Sequence, residues 1–218
     1  MPERRTVRER VVEVLAVALL GVATVCTAWC ALQSNMWSAE QQRLTGVAQA
    51  DQLESTRLLG VATQTMAYDG STVASYAAAV ATGNQKLTAF YRSALVRKGF
   101  LEYLDAWQKD ITAGTTPSNL LENKEYLDGV LGPYREATAK GDQASADADH
   151  AASVGEGYVL TTVLLAVALF FAGVTGTFRS PILRLLLVSA AFVAISVAIG
   201  HIGELPVAPG TLTMLTGP

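Results

Sequence analysis

Three apolar runs, at residues 14–32, 158–178 and 185–202, constrain this chain more than any other feature of its sequence. A bilayer core about 30 Å thick takes about 20 residues of helix to cross, and each run comes close to that length. Lipid offers the backbone no hydrogen-bond partners, so a span must be helical. The chain therefore reads as an all-α integral membrane protein. The parts expected are a basic N-terminus at 1–10, transmembrane helices at 11–33, 158–178 and 185–202, a loop at 179–184 and a tail at 203–218. Between the first two spans, residues 34–157 carry 25 of the 35 charged side chains and read as a water-facing helical domain.

Charge placement orients these parts. Arg4, Arg5, Arg8 and Arg10 precede the first span, and Arg179 and Arg184 flank the link between the second and third. Short basic flanks stay cytoplasmic, which puts the N-terminus inside and the domain and C-terminus outside. The tail, without Lys or Arg, agrees. With 10 Lys+Arg against 15 Asp+Glu the domain is mildly acidic, and nothing in it suggests nucleic acid. A basic start followed by an apolar core also has the form of a signal peptide. Ala28-Trp29-Cys30 offers no small-residue cleavage site, and the run continues without Pro or Gly to Trp37, so a retained span is expected. Trp29, Trp37 and Tyr158 fall where interfacial aromatic anchors belong.

Within the domain, Glu, Gln, Ala, Leu and Arg favour helix from residue 38 onward. Its apolar stripe is thin: Leu44, Val47 and Ala48 are interrupted by Asp51 and Ser55 before Leu58, Leu59, Ala62 and Met66 resume it. Asp69-Gly70-Ser71 reads as a kink and Gly83-Asn84 as a turn. From Gln85 to Ile111, three- and four-residue apolar steps predict one well-packed helix. Ser118 is the expected N-cap of the next, and Gly132-Pro133 a restart. The alanine-rich residues 135–153 read as a helix entering the membrane near Tyr158. A helical bundle or coiled coil able to oligomerise fits this pattern.

Candidate chemistry is sparse. Cys26 and Cys30 share one helix face, a spacing suited to a shared metal and poor for a disulfide; His201 and Glu204 lie at similar depth and complete the one candidate metal set. The favoured reading of the same residues is helix-contact cysteines and interfacial polar groups, so no cofactor is expected. Ala166, Ala172, Gly173 and Gly176 give the second span a small-residue face for close approach of the third. Glu13 and Arg184 are placed to pair at the cytoplasmic ends. Lys86, Arg92, Arg97 and Lys98, followed by Glu102, Asp105 and Asp110, read as a solvated helix face, and His150 among Asp147, Asp149 and Glu156 as an exposed histidine. With two histidines and no Gly-rich phosphate loop, conventional hydrolytic or nucleotide chemistry finds no residues.

The segment 19–42, with Ala23-Thr24-Val25-Cys26-Thr27-Ala28-Trp29, then Gln33, Trp37, Glu40 and Gln41, resembles a group of small bacterial inner-membrane proteins of unknown function. In that group an "LFFAG" span near the C-terminus corresponds to Leu169-Phe170-Phe171-Ala172-Gly173 here. The resemblance implies three spans and a large exported loop, and brings no activity. The expectation is a non-enzymatic scaffold or accessory subunit in the lipid bilayer, whose outer domain binds a protein partner, a ligand or its own copies. Two alternatives are an oligomeric channel or transporter component lined by Thr24, Thr27, Ser189 and Ser196, and a redox or metal protein using the Cys/His/Glu set.

Overall fold

A computed structural model describes residues 7–114, 119–178 and 180–209. Among these residues the elements are helical: α1 (Val7–Ala81), α2 (Gln85–Phe90), α3 (Leu101–Thr112), α4 (Lys124–Val174) and α5 (Pro181–Glu204). Three of them, α1, α4 and α5, contain stretches long and apolar enough to cross a membrane. Pro181 stands at the start of α5, where its missing N–H is no loss, so this helix begins four residues earlier than the expected third span.

Several expected breaks differ. α1 runs straight through Asp69-Gly70-Ser71. α4 likewise passes Pro133, which is exposed, so the carbonyl that its ring leaves unpaired can turn to water. The single helix expected over 85–111 is instead divided by a π-helical turn at Tyr91–Leu95, extended backbone at Val96 (ψ 124°) and Arg97 (ψ 142°), and a 3-10 turn at Lys98–Phe100. Ser118 lies outside the described residues. The caps seen nearby are Asn119, whose Oδ1 accepts from Leu121 N–H at 3.1 Å, and Asn123, whose Oδ1 accepts from Tyr126 N–H at 3.0 Å ahead of α4. The Gly83-Asn84 turn forms as expected: Gly83 takes φ 67°, and Asn84 accepts from Leu87 N–H to cap α2.

The chain divides into two compact units, Met1–Thr45 with Ser145–Pro218, and Gly46–Ala144. In the first, buried positions recur every seven residues: Ala16, Ala23, Cys30 and Trp37 on α1; Ala151, Tyr158, Leu165 and Ala172 on α4; Val188 and Ile195 on α5. A repeat of 3.5 per turn keeps such a stripe on its neighbours along the whole helix. Half of these core residues are Ala or Cys, whereas Val14, Val17, Val25, Phe170, Ile182, Leu186 and Phe192 are exposed. Large aliphatics outside and small residues inside is the arrangement that hydrocarbon favours, since lipid solvates Leu and Phe well and close helix contact depends on small side chains.

The second unit repeats the seven-residue stripe on α1 as Ala48, Ser55, Ala62, Asp69 and Tyr76. Small residues again set the approach of α4: a Cβ added at Gly141 would lie 3.3 Å from Gln52 Cγ and 3.5 Å from Asp51 Cβ. Its apolar core is Tyr76, Val96, Phe100, Leu104 and Tyr126, with Trp107, Leu121 and Leu127 packed around it.

Candidate functional site

A cleft of about 1090 Å³ lies in the Gly46–Ala144 unit between the end of α1, α2 and α3. Apolar Val80, Ala89 and Ala113 line it beside polar Gln85, Thr88, Lys109 and Thr112. Two polar pairs cross its base. Arg92, on the π-helical turn, grips Asp105 of α3 with both terminal nitrogens, one bond measuring 2.9 Å. Tyr76, 1% exposed, donates to Gln108 Oε1 at 2.7 Å. The Arg92 guanidinium holds the Asp105 carboxyl below the usual carboxylate range. Within the basic group expected as a solvated face, Arg92 and Arg97 each hold a carboxylate while their side chains stay 41% and 42% exposed.

Arg97 belongs to a buried knot beneath the helix break. Asp69 is 1% exposed, and its carboxylate accepts from Arg97 Nε at 2.9 Å, from an Arg97 terminal nitrogen, and from the Tyr126 hydroxyl at 2.9 Å. Burial, then the adjoining Asp69 carboxylate, push the Tyr126 hydroxyl up to about 12. An ordinary tyrosine ionises near 10, so between about pH 10 and 12 the folded chain keeps a proton that the unfolded chain releases. This share of stability is complete below about pH 10 and disappears as pH rises through 12, a loss of about 2–3 kcal/mol. Urea unfolding followed by Trp107 fluorescence in a Trp29→Phe, Trp37→Phe background on either side of pH 10 should show it. Tyr126→Phe should start about 1 kcal/mol lower at neutral pH, for the lost hydrogen bond, and lack that portion of the alkaline loss. An identical alkaline slope in both proteins removes Tyr126 from the titration.

In the membrane-type unit, the expected anchors have another role. Tyr158 is 0% exposed and Trp37 8%; both donate to the Pro206 carbonyl, at 3.2 and 3.1 Å. Gln33, also 0% exposed, accepts from Ala208 N–H at 2.8 Å. A Cβ at Gly157 would come within 2.9 Å of Leu205, so this glycine makes room for the segment they hold. Trp37 and Tyr158 thus fasten the chain that follows α5, because its carbonyl is the acceptor that their buried N–H and O–H require. Trp29 is half-buried, and His150 sets its ring edge-on to Trp37 at 6.4 Å.

Cys30 is fully buried in this core and Cys26 partly; both are free thiols. His201 Nδ1 lies 3.9 Å from Glu204 Oε2, with Glu204 largely exposed. Among the described residues no three His, Cys, Asp or Glu side chains come close enough to hold a metal, so the expected four-residue set is not brought together. Of the small-residue face, Ala172 is buried, whereas Ala166 is exposed and Gly173 and Gly176 face open space. The contact stripe of α4 runs through Leu165, Ala168, Ala172 and Thr175, and the two glycines lie off it; they border a groove of about 360 Å³ with Ala16, Val17 and Leu20 of α1. Glu13 and Arg184 border the same groove, and Arg184 Nε donates to Phe178 O at 2.6 Å. Thr24, Thr27 and Ser196 direct their hydroxyl protons to carbonyls of their own helices, at 2.7–2.9 Å.

Two features went unread in the sequence. Asp69 has its partners 28 and 57 residues away, and its one signal was the seven-residue spacing from Ala48 through Ser55 and Ala62. Gln33 gave a weaker one, an amide among apolar residues one turn after Cys30. Compared with protein-family models, curated proteins and solved structures, the chain matches none.

Proposed function

We propose that the chain is a non-enzymatic accessory or scaffold subunit of a bacterial inner membrane, whose Gly46–Ala144 unit binds a partner or ligand in the cleft between α1, α2 and α3. The N-terminus and the link before α5 face the cytoplasm in this reading, and the cleft faces outward. The observation that supports it most is the cleft itself. Its base is held by Arg92–Asp105 and Tyr76–Gln108, so the groups that would meet a ligand are positioned before it arrives. The six arginines at the two cytoplasmic flanks support the orientation.

Cysteine labelling tests both parts. Thr88→Cys on the cleft wall and Ala139→Cys on the exposed side of α4 are treated with a membrane-impermeant maleimide. Both should react in intact cells. In native membranes Thr88→Cys should react several-fold more slowly than Ala139→Cys, and this lag should vanish in the purified protein once the occupant is gone. Labelling only after permeabilisation would invert the topology, and equal rates in native membranes would leave the cleft without an occupant.

A further inference from the structure

We infer that the cleft of the Gly46–Ala144 unit takes a small hydroxylated carboxylate, such as a sugar acid; this rests on the cleft being a binding site. Residues 46–144 hold 9 Lys+Arg against 11 Asp+Glu, so the unit as a whole is acidic. The cleft reverses that sign. Its ionisable lining residues are Arg92, Lys109 and Asp105, two cations and one anion. Asp105 spends one acceptor site of each carboxylate oxygen on Arg92, which largely neutralises it toward a cationic ligand. Lys109, one helical turn beyond Asp105, forms no salt bridge among the described residues, although its charge already acts on Asp105, while Arg92 is engaged by Asp105 and Tyr76. A concave surface focuses this local excess of positive charge on an incoming anion.

The neutral groups specify the rest of the ligand. Thr88 and Thr112 donate their hydroxyl protons to Asn84 O at 3.0 Å and Gln108 O at 2.8 Å, so each offers oxygen lone pairs to the cleft. Gln108 accepts from Tyr76 with Oε1, which leaves its NH₂ as donor, and Gln85 supplies both kinds of group. Acceptors beside the cations suit a molecule that brings O–H donors together with its carboxylate. Val80, Ala89 and Ala113 give the cleft a modest apolar wall against which a sugar-sized carbon frame can lie.

The probes are gluconate and glucuronate, with glucose and an equal ionic strength of sodium chloride as controls, added at millimolar concentration to the purified full chain in detergent. Melting of the Gly46–Ala144 unit, followed by Trp107 fluorescence in a Trp29→Phe, Trp37→Phe background, should rise by about 5 °C with the sugar acids and stay in place with glucose or salt. Lys109→Gln, at an exposed position, should lower affinity about tenfold relative to its own ligand-free baseline. The inference is overturned if neither sugar acid shifts melting, if chloride shifts it equally, or if Lys109→Gln binds as tightly as the parent. A cleft protected from maleimide in native membranes but indifferent to sugar acids would overturn the ligand class while the binding reading stood.

Discussion

Asp69→Ala should lower the stability of the Gly46–Ala144 unit by about 3 kcal/mol, the scale of breaking a buried ion pair. For about 100 residues that corresponds to melting lower by about 15 °C. Trp107 is the one tryptophan between residues 46 and 144 and packs on the core beside the knot, so in a Trp29→Phe, Trp37→Phe background its fluorescence follows this unit within the intact chain in detergent. The two partners left behind differ. The Arg97 side chain is 42% exposed and can regain water, whereas the Tyr126 residue is 3% exposed and would keep a buried hydroxyl without its acceptor. Arg97→Gln should cost at least as much, because it strands the carboxylate instead. Joining Asp69→Ala to Arg97→Ala in a double-mutant cycle should return a coupling of about 2 kcal/mol. Asp69→Ala within about 0.5 kcal/mol of the parent would mean that the knot contributes only packing.

The membrane-type helices were plainly legible, since long uncharged runs such as 158–178 admit few other structures. The alternation of turn and helix at Gly83-Asn84 was legible too, because both residues suit a left-handed turn followed by a cap. The division of 85–111 was not. Its one trace is the six-residue step from Leu95 to Leu101, which falls out of the three- and four-residue rhythm on either side, and the tertiary demand that Arg97 reach Asp69 shows why the backbone extends there. The stripe of Ala48, Ser55, Ala62 and Asp69 was read as interrupted because small and charged residues carry no hydrophobic contrast, although seven-residue spacing was present throughout. The fastening role of Trp37 and Tyr158 was hidden for a different reason: their acceptor is the backbone carbonyl of Pro206, which side-chain chemistry does not reveal.

Phe100→Ala should be the most damaging single apolar truncation in the Gly46–Ala144 unit, at about 3–5 kcal/mol. Phe100 is 1% exposed and sets its ring 5.2 Å from Tyr126 at 72° and 6.1 Å from Tyr103, so an edge-to-face contact of about 1 kcal/mol is lost beyond the cavity itself. Phe90, ten residues earlier and 54% exposed, makes the matched control, and Phe90→Ala should cost less than about 1 kcal/mol. The consequence reaches the cleft, because Phe100 closes the 3-10 turn that follows Arg97, between Arg92 on one side and Asp105 on the other. Sugar-acid binding should therefore weaken in Phe100→Ala even at temperatures where the unit remains folded, while Phe100→Leu should regain most of both stability and binding. Equal losses for Phe90→Ala and Phe100→Ala, or full binding by folded Phe100→Ala, would separate the aromatic core from the cleft and leave Arg92–Asp105 to hold its shape alone.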